Sequence, residues 1–279
     1  VNSVVPTRRP PTPARRVPDA GPSRWTASLR GAKRPDGSQV FVLSAVRHGD
    51  GVTLASREIG AKTNEIPELA LLLDQIDDAG LAGTVVTADA LHAQRGHAHY
   101  LHEHGAHYLL TIKHNQRGQA RRLHAPPWKK IPVIHRDDNR GHGRHEHRLV
   151  QAVTVDGLLF PHAAQVLRIR RRRRLYGAKK WSSETVHTIT DLTVEEASAD
   201  EITSWARGHW TAESTVHWVR DVVFGENKSQ ARTHNTPAVL TAVRNLIRTA
   251  LKLAGYVNTA AGRRAHTERP LVLGLYGIT

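Results

Sequence analysis

Apolar and polar positions alternate along this chain in a way that resolves it into elements. Over residues 39–45, Val40, Val42 and Ser44 alternate with Phe41, Leu43 and Ala45, and Gly49-Asp50-Gly51 separates them from a second strand-like run at 52–59. That spacing predicts a two-stranded hairpin. Over 65–79 the apolar residues Ile66, Leu69, Leu72, Leu73 and Ile76 recur at steps of three and four before Gly80, which predicts one amphipathic helix. The stretch 84–94 reads Thr-Val-Val-Thr-Ala-Asp-Ala-Leu-His-Ala-Gln, a buried strand ending on Asp89, and 92–103 can be helical. A third apolar run at 107–112 ends in Lys113-His114-Asn115-Gln116. Hairpin, helix, strand, helix, strand predicts an α/β fold, a mixed sheet covered by helices.

The pattern then changes. Residues 117–198 hold strand-like runs at 149–155, 164–169 and 185–190, joined by basic and glycine-containing connections, and read as a β-rich basic insertion. Ser198 with Glu201 is a capping-box signature, and the chain then runs helically to about residue 223. On that helix Ile202, Trp205, His209, Ala212, Val216, Val219 and Val223 share a stripe, and Glu213 falls within it. The C-terminal helical part extends over 199–250, and 251–279 reads as a tail. At the other end, residues 1–28 are rich in Pro and Arg without periodicity, which predicts a disordered segment.

Composition narrows the functions. The chain has 279 residues, 40 Lys and Arg against 25 Asp and Glu, and a formal charge of +15, so a polyanion is the expected partner and nucleic acid the first candidate. The absence of cysteine removes disulfides, thiol catalysis and cysteine-liganded zinc. No apolar stretch reaches the roughly 20 residues that span a bilayer, and no signal peptide is evident, so a cytoplasmic protein without a membrane partner is expected. Methionine is absent even at position 1, and Val1 reads as a cut edge. Arg170, Arg171, Arg172, Arg173 and Arg174 form an unbroken run, followed by Lys179, Lys180 and Trp181. Such a run can be a solvated hairpin. Here the net charge favours phosphate contact, which positions DNA without reading its sequence.

Two carboxylates carry candidate chemistry. Asp89 sits at a strand end, where ligands bind in open α/β sheets, although its local pattern by itself better suits a cap or a turn. Glu213 lies on or beside a buried helical face, which requires a partner: a metal ion, or a salt bridge to Arg207 or Arg220. The histidines at 97, 99, 102, 104 and 107 lack a metal-site pattern, since a helix would spread their rings around its circumference.

Taken together, Thr-Ala-Asp-Ala-Leu-His-Ala-Gln around Asp89, Tyr-Leu-Leu-Thr-Ile-Lys-His-Asn-Gln from Tyr108, Gly-His-Gly-Arg at 141–144, and Arg-Gly-His-Trp-Thr-Ala-Glu leading into His-Trp-Val-Arg-Asp-Val-Val-Phe-Gly-Glu resemble insertion-sequence transposases of the DDE class, in the branch that includes the H-repeat-associated proteins. The resemblance runs in order from about Leu29 to the C-terminus. It implies a ribonuclease H-like fold, its catalytic domain split between 29–116 and 199–250 by the insertion, that cleaves DNA strands and transfers them using two divalent ions, Mg2+ or Mn2+. It makes Asp89 the second catalytic aspartate and Glu213 the helical glutamate, both metal ligands, with Glu226 as a rival. Lys113, Asn115 and Gln116 match a motif placed to contact DNA phosphate. The implied partners are transposon-end and target DNA, a homodimer is compatible with them, and the implied setting is the bacterial cytoplasm, at the nucleoid when DNA is bound.

One element departs from the family. Relatives end the first strand on an aspartate within Asp-Gly-Lys, just before the Leu-Arg-Gly that survives here as Leu29-Arg30-Gly31. This chain has Arg24-Trp25-Thr26-Ala27-Ser28, which CGG TGG ACG GCA AGT would encode, and a shifted frame of that string reads Val-Asp-Gly-Lys. The hypothesis is a frameshift upstream of Leu29, leaving a first strand missing or altered; an in-frame gene with no shifted Asp-Gly-Lys codons would refute it. Asp36 and Asp50 sit in turns and are poor substitutes. Three functional classes follow: an impaired transposase, a DNA-binding protein without catalysis, or a remnant that does not fold stably.

Overall fold

The computed structural model describes residues 22–33, 39–59, 65–113, 116–141, 143–155, 160–229, 231 and 235–277; for 22–33, 39, 40, 79, 210–217 and 227 it describes the backbone alone. Nine strands form one sheet: β1 Pro22–Lys33, β2 Gln39–Arg47, β3 Thr53–Ile59, β4 Val85–Ala88, β5 His107–Ile112, β6 His135–Gly141, β7 Arg144–Thr154, β8 Gln165–Leu175 and β9 Ser182–Thr190. Their order is β3-β2-β1-β4-β5-β9-β8-β7-β6. β1 and β4 are parallel, with Ser23 beside Thr87, and β4 and β5 are parallel, with Val85 beside His107. Every other pairing is antiparallel. The predicted mixed sheet with flanking helices is therefore present.

The first strand is present as well. β1 begins inside the 1–28 segment expected to be disordered and lies between β2 and β4, Trp25 facing Ser44 across the β2 pairing. A strand thus occupies the place where the first strand was expected to be missing or altered, and its sequence contains no aspartate. The β-rich segment extends this same sheet, because β9 pairs with β5, Ile112 facing His187. The run from Arg170 to Arg174, expected in a connection, lies within β8. Its register is set by two flanking strands over their whole length, so hydrogen-bonded partners decide its conformation where apolar periodicity is silent.

Helices cover both faces. α1 Glu68–Leu73, α2 Asp78–Leu81, α3 Arg95–Glu103 and α4 Arg117–His124 lie between the strands, and α5 Ala199–Trp218, α6 Thr236–Leu253, α7 Thr259–Ala265 and α8 Arg269–Leu275 follow them. The single helix predicted over 65–79 is two: α1 stops at Asp74, and Asp77 starts α2 by accepting from Gly80 N–H at 2.7 Å, a local capping bond that outcompetes continuation. The helix expected from His92 begins at Arg95, after a separate 3-10 turn at Ala90–His92. Residues 251–279, expected to be a tail, finish α6 and contain α7 and α8.

β4 is buried throughout because both of its faces are covered. Val86 and Ala88 point into a core with Leu69, Leu72, Leu73 and Leu101, while Val85 packs with Leu109, Leu167, Ile202, Trp205 and Ala206 on the α5 side. The predicted capping box holds the start of α5: Ser198 N–H donates to Glu201 Oε2 at 2.9 Å, and Glu201 N–H donates to Ser198 Oγ at 3.3 Å.

Candidate catalytic site at the end of the fourth strand

Asp89 follows β4 in extended backbone (φ −72°, ψ 178°) and its side chain is 58% exposed. Its Oδ1 accepts from Leu91 N–H at 3.1 Å, capping the turn that follows, and lies 3.9 Å from His92 Nε2. His92 Nε2 is also 3.6 Å from the buried Glu65 Oε2. The capping role read from the local pattern is thus real. It uses one carboxylate oxygen and leaves the group open to solvent on its other side, so capping and ligation do not exclude each other.

Side-chain alternation puts residues 85, 87 and 89 toward one face. On that face Val85 packs with Ile202, Trp205 and Ala206, and Thr87 Oγ1 lies 3.2 Å from His209 Nδ1. β4 and α5 therefore advance in the same direction. Two residues of strand rise about 6.6 Å and four residues of helix about 6 Å, so the step from Thr87 to Asp89 parallels the step from His209 to Glu213. The backbone of Glu213 belongs to α5, and its side chain lies outside the described residues.

Thr87 also meets His48 on the β2–β3 turn, with Oγ1 3.2 Å from Nε2. The hydroxyl can accept from one imidazole while donating to the other, so both rings can be neutral. Burial pushes His48 down to about 4, assisted by His209, and burial pushes His209 down to about 4, with Asp89 pulling it up and Lys113 pushing it further down. His209 thus senses Asp89 and Lys113 together. Gly208 allows this close approach, since a Cβ there would lie 2.3 Å from His48 Nδ1. His48 had no local signal in the sequence; only the strand order brings its turn to Thr87.

The other predicted residues separate. Lys113 is exposed at the end of β5, beside β4. Gln116 caps α4 and its side-chain amide donates to the Ala93 carbonyl, while Asn115 lies outside the described residues. Glu226 is 2% exposed: Arg220 Nε donates to it at 2.6 Å, Thr241 Oγ1 at 2.9 Å and Arg244 Nη1 at 3.2 Å. That set of bonds makes Glu226 a buried anchor. Asp50 accepts from Arg47 Nε at 3.0 Å and from Val52 N–H at 3.0 Å within its turn, and Asp36 lies outside the described residues. The candidate salt-bridge partners of Glu213 have other bonds, Arg207 to Asp137 at 2.8 Å and Arg220 to Glu226.

The histidines that lack a metal-site pattern are engaged by neighbours. The two ring nitrogens of His97 lie 2.9 and 2.8 Å from the His92 and Ile66 carbonyls, and His107 Nδ1 lies 3.0 Å from Asp191. His99 and His102 both meet the His162 ring. Among the described residues no group of three or more His, Asp and Glu could hold a metal ion, and no helix is long and apolar enough to cross a membrane.

The arginine run divides between the two faces of β8. On one face Arg171 bonds Glu184 at 2.7 Å, and the neighbouring Arg148 pairs with Glu146, so acids offset bases. On the other, Arg172 and Arg174 lie 5.3 and 5.0 Å over the Trp181 ring, beside His145 and His147. Lys179 and Lys180 are exposed in the β8–β9 turn.

Comparison with known proteins identifies the family of the chain. The chain is 29% identical over 235 residues to YncI of Escherichia coli O157:H7, provisionally named a transposase, covering 78% of this chain and 58% of that protein. It is 23% identical over 223 residues to the H repeat-associated protein YhhI of Escherichia coli (strain K12), also provisionally named a transposase, covering 74% of this chain and 57% of that one. The chain thus spans little more than half the length of these relatives. Among solved structures, a piggyBac transposase synaptic complex with hairpin DNA aligns over 93% of this chain and 52% of its own, at 12% identity and a TM-score of 0.48. The family described as Transposase DDE domain matches residues 5–247, including most of the segment before Leu29. The chain belongs to the DDE transposase family.

Proposed function

We propose that this chain is the catalytic part of an insertion-sequence transposase on a ribonuclease H-like fold, with Asp89 and Glu213 as its metal-holding carboxylates and with strand cleavage impaired by the sequence of its first strand. The observation that carries this is the convergence of two registers on Asp89. The Thr87–His209 contact leads to Glu213 on one side, and the parallel pairing of Ser23 with Thr87 leads to Trp25 on the other. Trp25 stands where the family's first aspartate is expected, next to the shifted Asp codon, and indole is no ligand for a hard cation.

Carboxylate oxygens suit Mg2+ or Mn2+, so the donors fit such an ion in kind, while two carboxylates are fewer than the family uses. A bound pair of ions would activate the attacking oxygen and stabilise the leaving one. For the chain's own part, Asp89 and Glu213 hold the ligand position, the cap bond from Leu91 N–H orients Asp89, and Lys113 offers positive charge to an adjacent phosphate. Arg170 to Arg174 with Lys179 and Lys180 position DNA along β8 and the β8–β9 turn.

Nicking of supercoiled plasmid with Mg2+ or Mn2+, read beside Mn2+ binding, tests the proposal. The chain itself is expected to nick weakly or not at all, Trp25→Asp to gain metal-dependent nicking, and Asp89→Ala or Glu213→Ala to remove that gain. Robust Mg2+-dependent cutting by the unaltered chain overturns the impairment. Absence of both Mn2+ binding and nicking in Trp25→Asp overturns the site. DNA binding that persists in the Asp89→Ala, Glu213→Ala variant, together with no metal-dependent nicking by the unaltered chain or by Trp25→Asp, would mark the second reading, a binding protein without catalysis, which the basic face around Trp181 favours.

A further inference from the structure

We propose that His99 and His162 form a second metal site, a two-histidine clamp for a borderline divalent cation such as Zn2+, separate from Asp89 and Glu213. His99 and His102 lie three residues apart on α3, hence on one side of it, and both are exposed. The other ring arrives from outside the helix. His162, exposed in the turn before β8, places its Nε2 3.3 Å from His99 Nδ1, and its ring stacks on His102 with centroids 3.7 Å apart and planes within 11°. No local motif announces the pair, because its members are 63 residues apart. The turn is firmly held: Phe160 is buried against Tyr108, the Tyr108 hydroxyl donates to the Pro161 carbonyl at 2.6 Å, and Ala164 N–H donates to the Thr190 carbonyl at 2.9 Å. His162 has φ 60°, the one positive φ outside glycine among the described residues. Glycine would take that conformation without strain, so an imidazole is held there at a backbone cost.

The spacing of the two nitrogens selects the ion. Ligands about 2.0–2.1 Å from a tetrahedral Zn2+ stand about 3.3–3.4 Å from each other, whereas adjacent corners of a square-planar ion stand about 2.9 Å apart. The observed 3.3 Å matches the tetrahedral value. Neutral imidazole suits Zn2+, while Mg2+ and Mn2+ prefer carboxylate oxygen, so this pair and the carboxylates select different ions. The same distance permits a hydrogen bond between the rings. An ion takes the place of the shared proton once that hydrogen moves to the ring's other nitrogen, with no net proton released. Water completes the coordination of a site with two protein ligands. Glu103 and Asp191 lie close enough to act on His162, which makes the local field less positive than a net charge of +15 implies. Once occupied, the site ties α3, the helix that follows Asp89, to the turn that feeds the arginine-bearing β8.

The site shares no residue with the catalytic reading, so the two fail separately. In calorimetric titration with Zn2+ at neutral pH, without Mg2+ or Mn2+, the unaltered chain should bind one equivalent more than His99→Ala does, and Zn2+ should raise its thermal unfolding midpoint. The Asp89→Ala, Glu213→Ala variant should respond as the unaltered chain does. So should His104→Ala, whose ring nitrogen lies 2.8 Å from the Tyr100 carbonyl of its own helix. His162→Gly separates ligation from folding. It relieves the positive φ, so without Zn2+ it should melt above the unaltered chain, and it should lose the Zn2+ response. A response that survives both His99→Ala and His162→Gly overturns the proposal, as does its loss in His104→Ala. No Zn2+ response by the unaltered chain overturns it as well and leaves the two rings a hydrogen-bonded pair.

Discussion

Asp89 and Glu226 are two acids of one chain placed in opposite circumstances. Glu226 is 2% exposed and accepts from two arginines and a threonine; Asp89 has a side chain 58% exposed and accepts one backbone bond. A carboxylate surrounded by donors is committed to structure, because moving it strands buried charge. A carboxylate with an open side can take a ligand at little cost. Exposure and donor count therefore speak against Glu226 as a metal ligand more sharply than its place in a motif does.

The largest effect of any single substitution should come from the buried acid. Glu226→Gln leaves Arg220 and Arg244 without their anion and should cost on the order of 3–5 kcal/mol, read as a lower urea midpoint; a loss below about 1 kcal/mol would collapse the distinction drawn here.

Acid should act next, on the surroundings of Asp89. His48 and His209 ordinarily titrate near 6.5 and are held at about 4, so the folded state refuses protons that the unfolded chain accepts. Their contribution is complete above pH 6.5 and is lost as pH falls from there toward 4. The cost approaches on the order of 3 kcal/mol per ring. Urea unfolding across that range should show the loss, and His209→Gln should flatten it.

The smallest effect on stability should come from Asp89→Asn. Asparagine caps as well as aspartate, so thermal unfolding should move by about 1 kcal/mol or less, while Mn2+ binding should fall away. A large destabilisation would make Asp89 a structural acid like Glu226.

These differences also mark what the sequence could convey. β4, β5 and the start of α5 were legible because each is specified locally, by a β-branched run, an apolar run or the Ser198–Glu201 pair. The break between α1 and α2 was not, since Leu69, Leu73 and Ile76 keep helical spacing while Asp77 quietly caps a new start. His48 was invisible because its partner Thr87 is 39 residues away and meets it only through the strand order. The strand character of Arg170 to Arg174 comes from neighbours on both sides and from nothing in the run itself. The anchoring of Glu226 likewise depends on Arg244 and Thr241, on a helix that starts ten residues later.

The continuity of the sheet makes it a ruler. β4, which ends at Asp89, and β8, which carries the arginines, are three strand steps apart. At about 4.8 Å per step that is about 14 Å, or about four base pairs of duplex at about 3.4 Å each. A duplex held by the β8 arginines and reaching Asp89 would have its grip and its reactive bond offset by at least that interval. No hinge interrupts the hydrogen-bonded strands between them, so the offset is set by the fold and not by a linker.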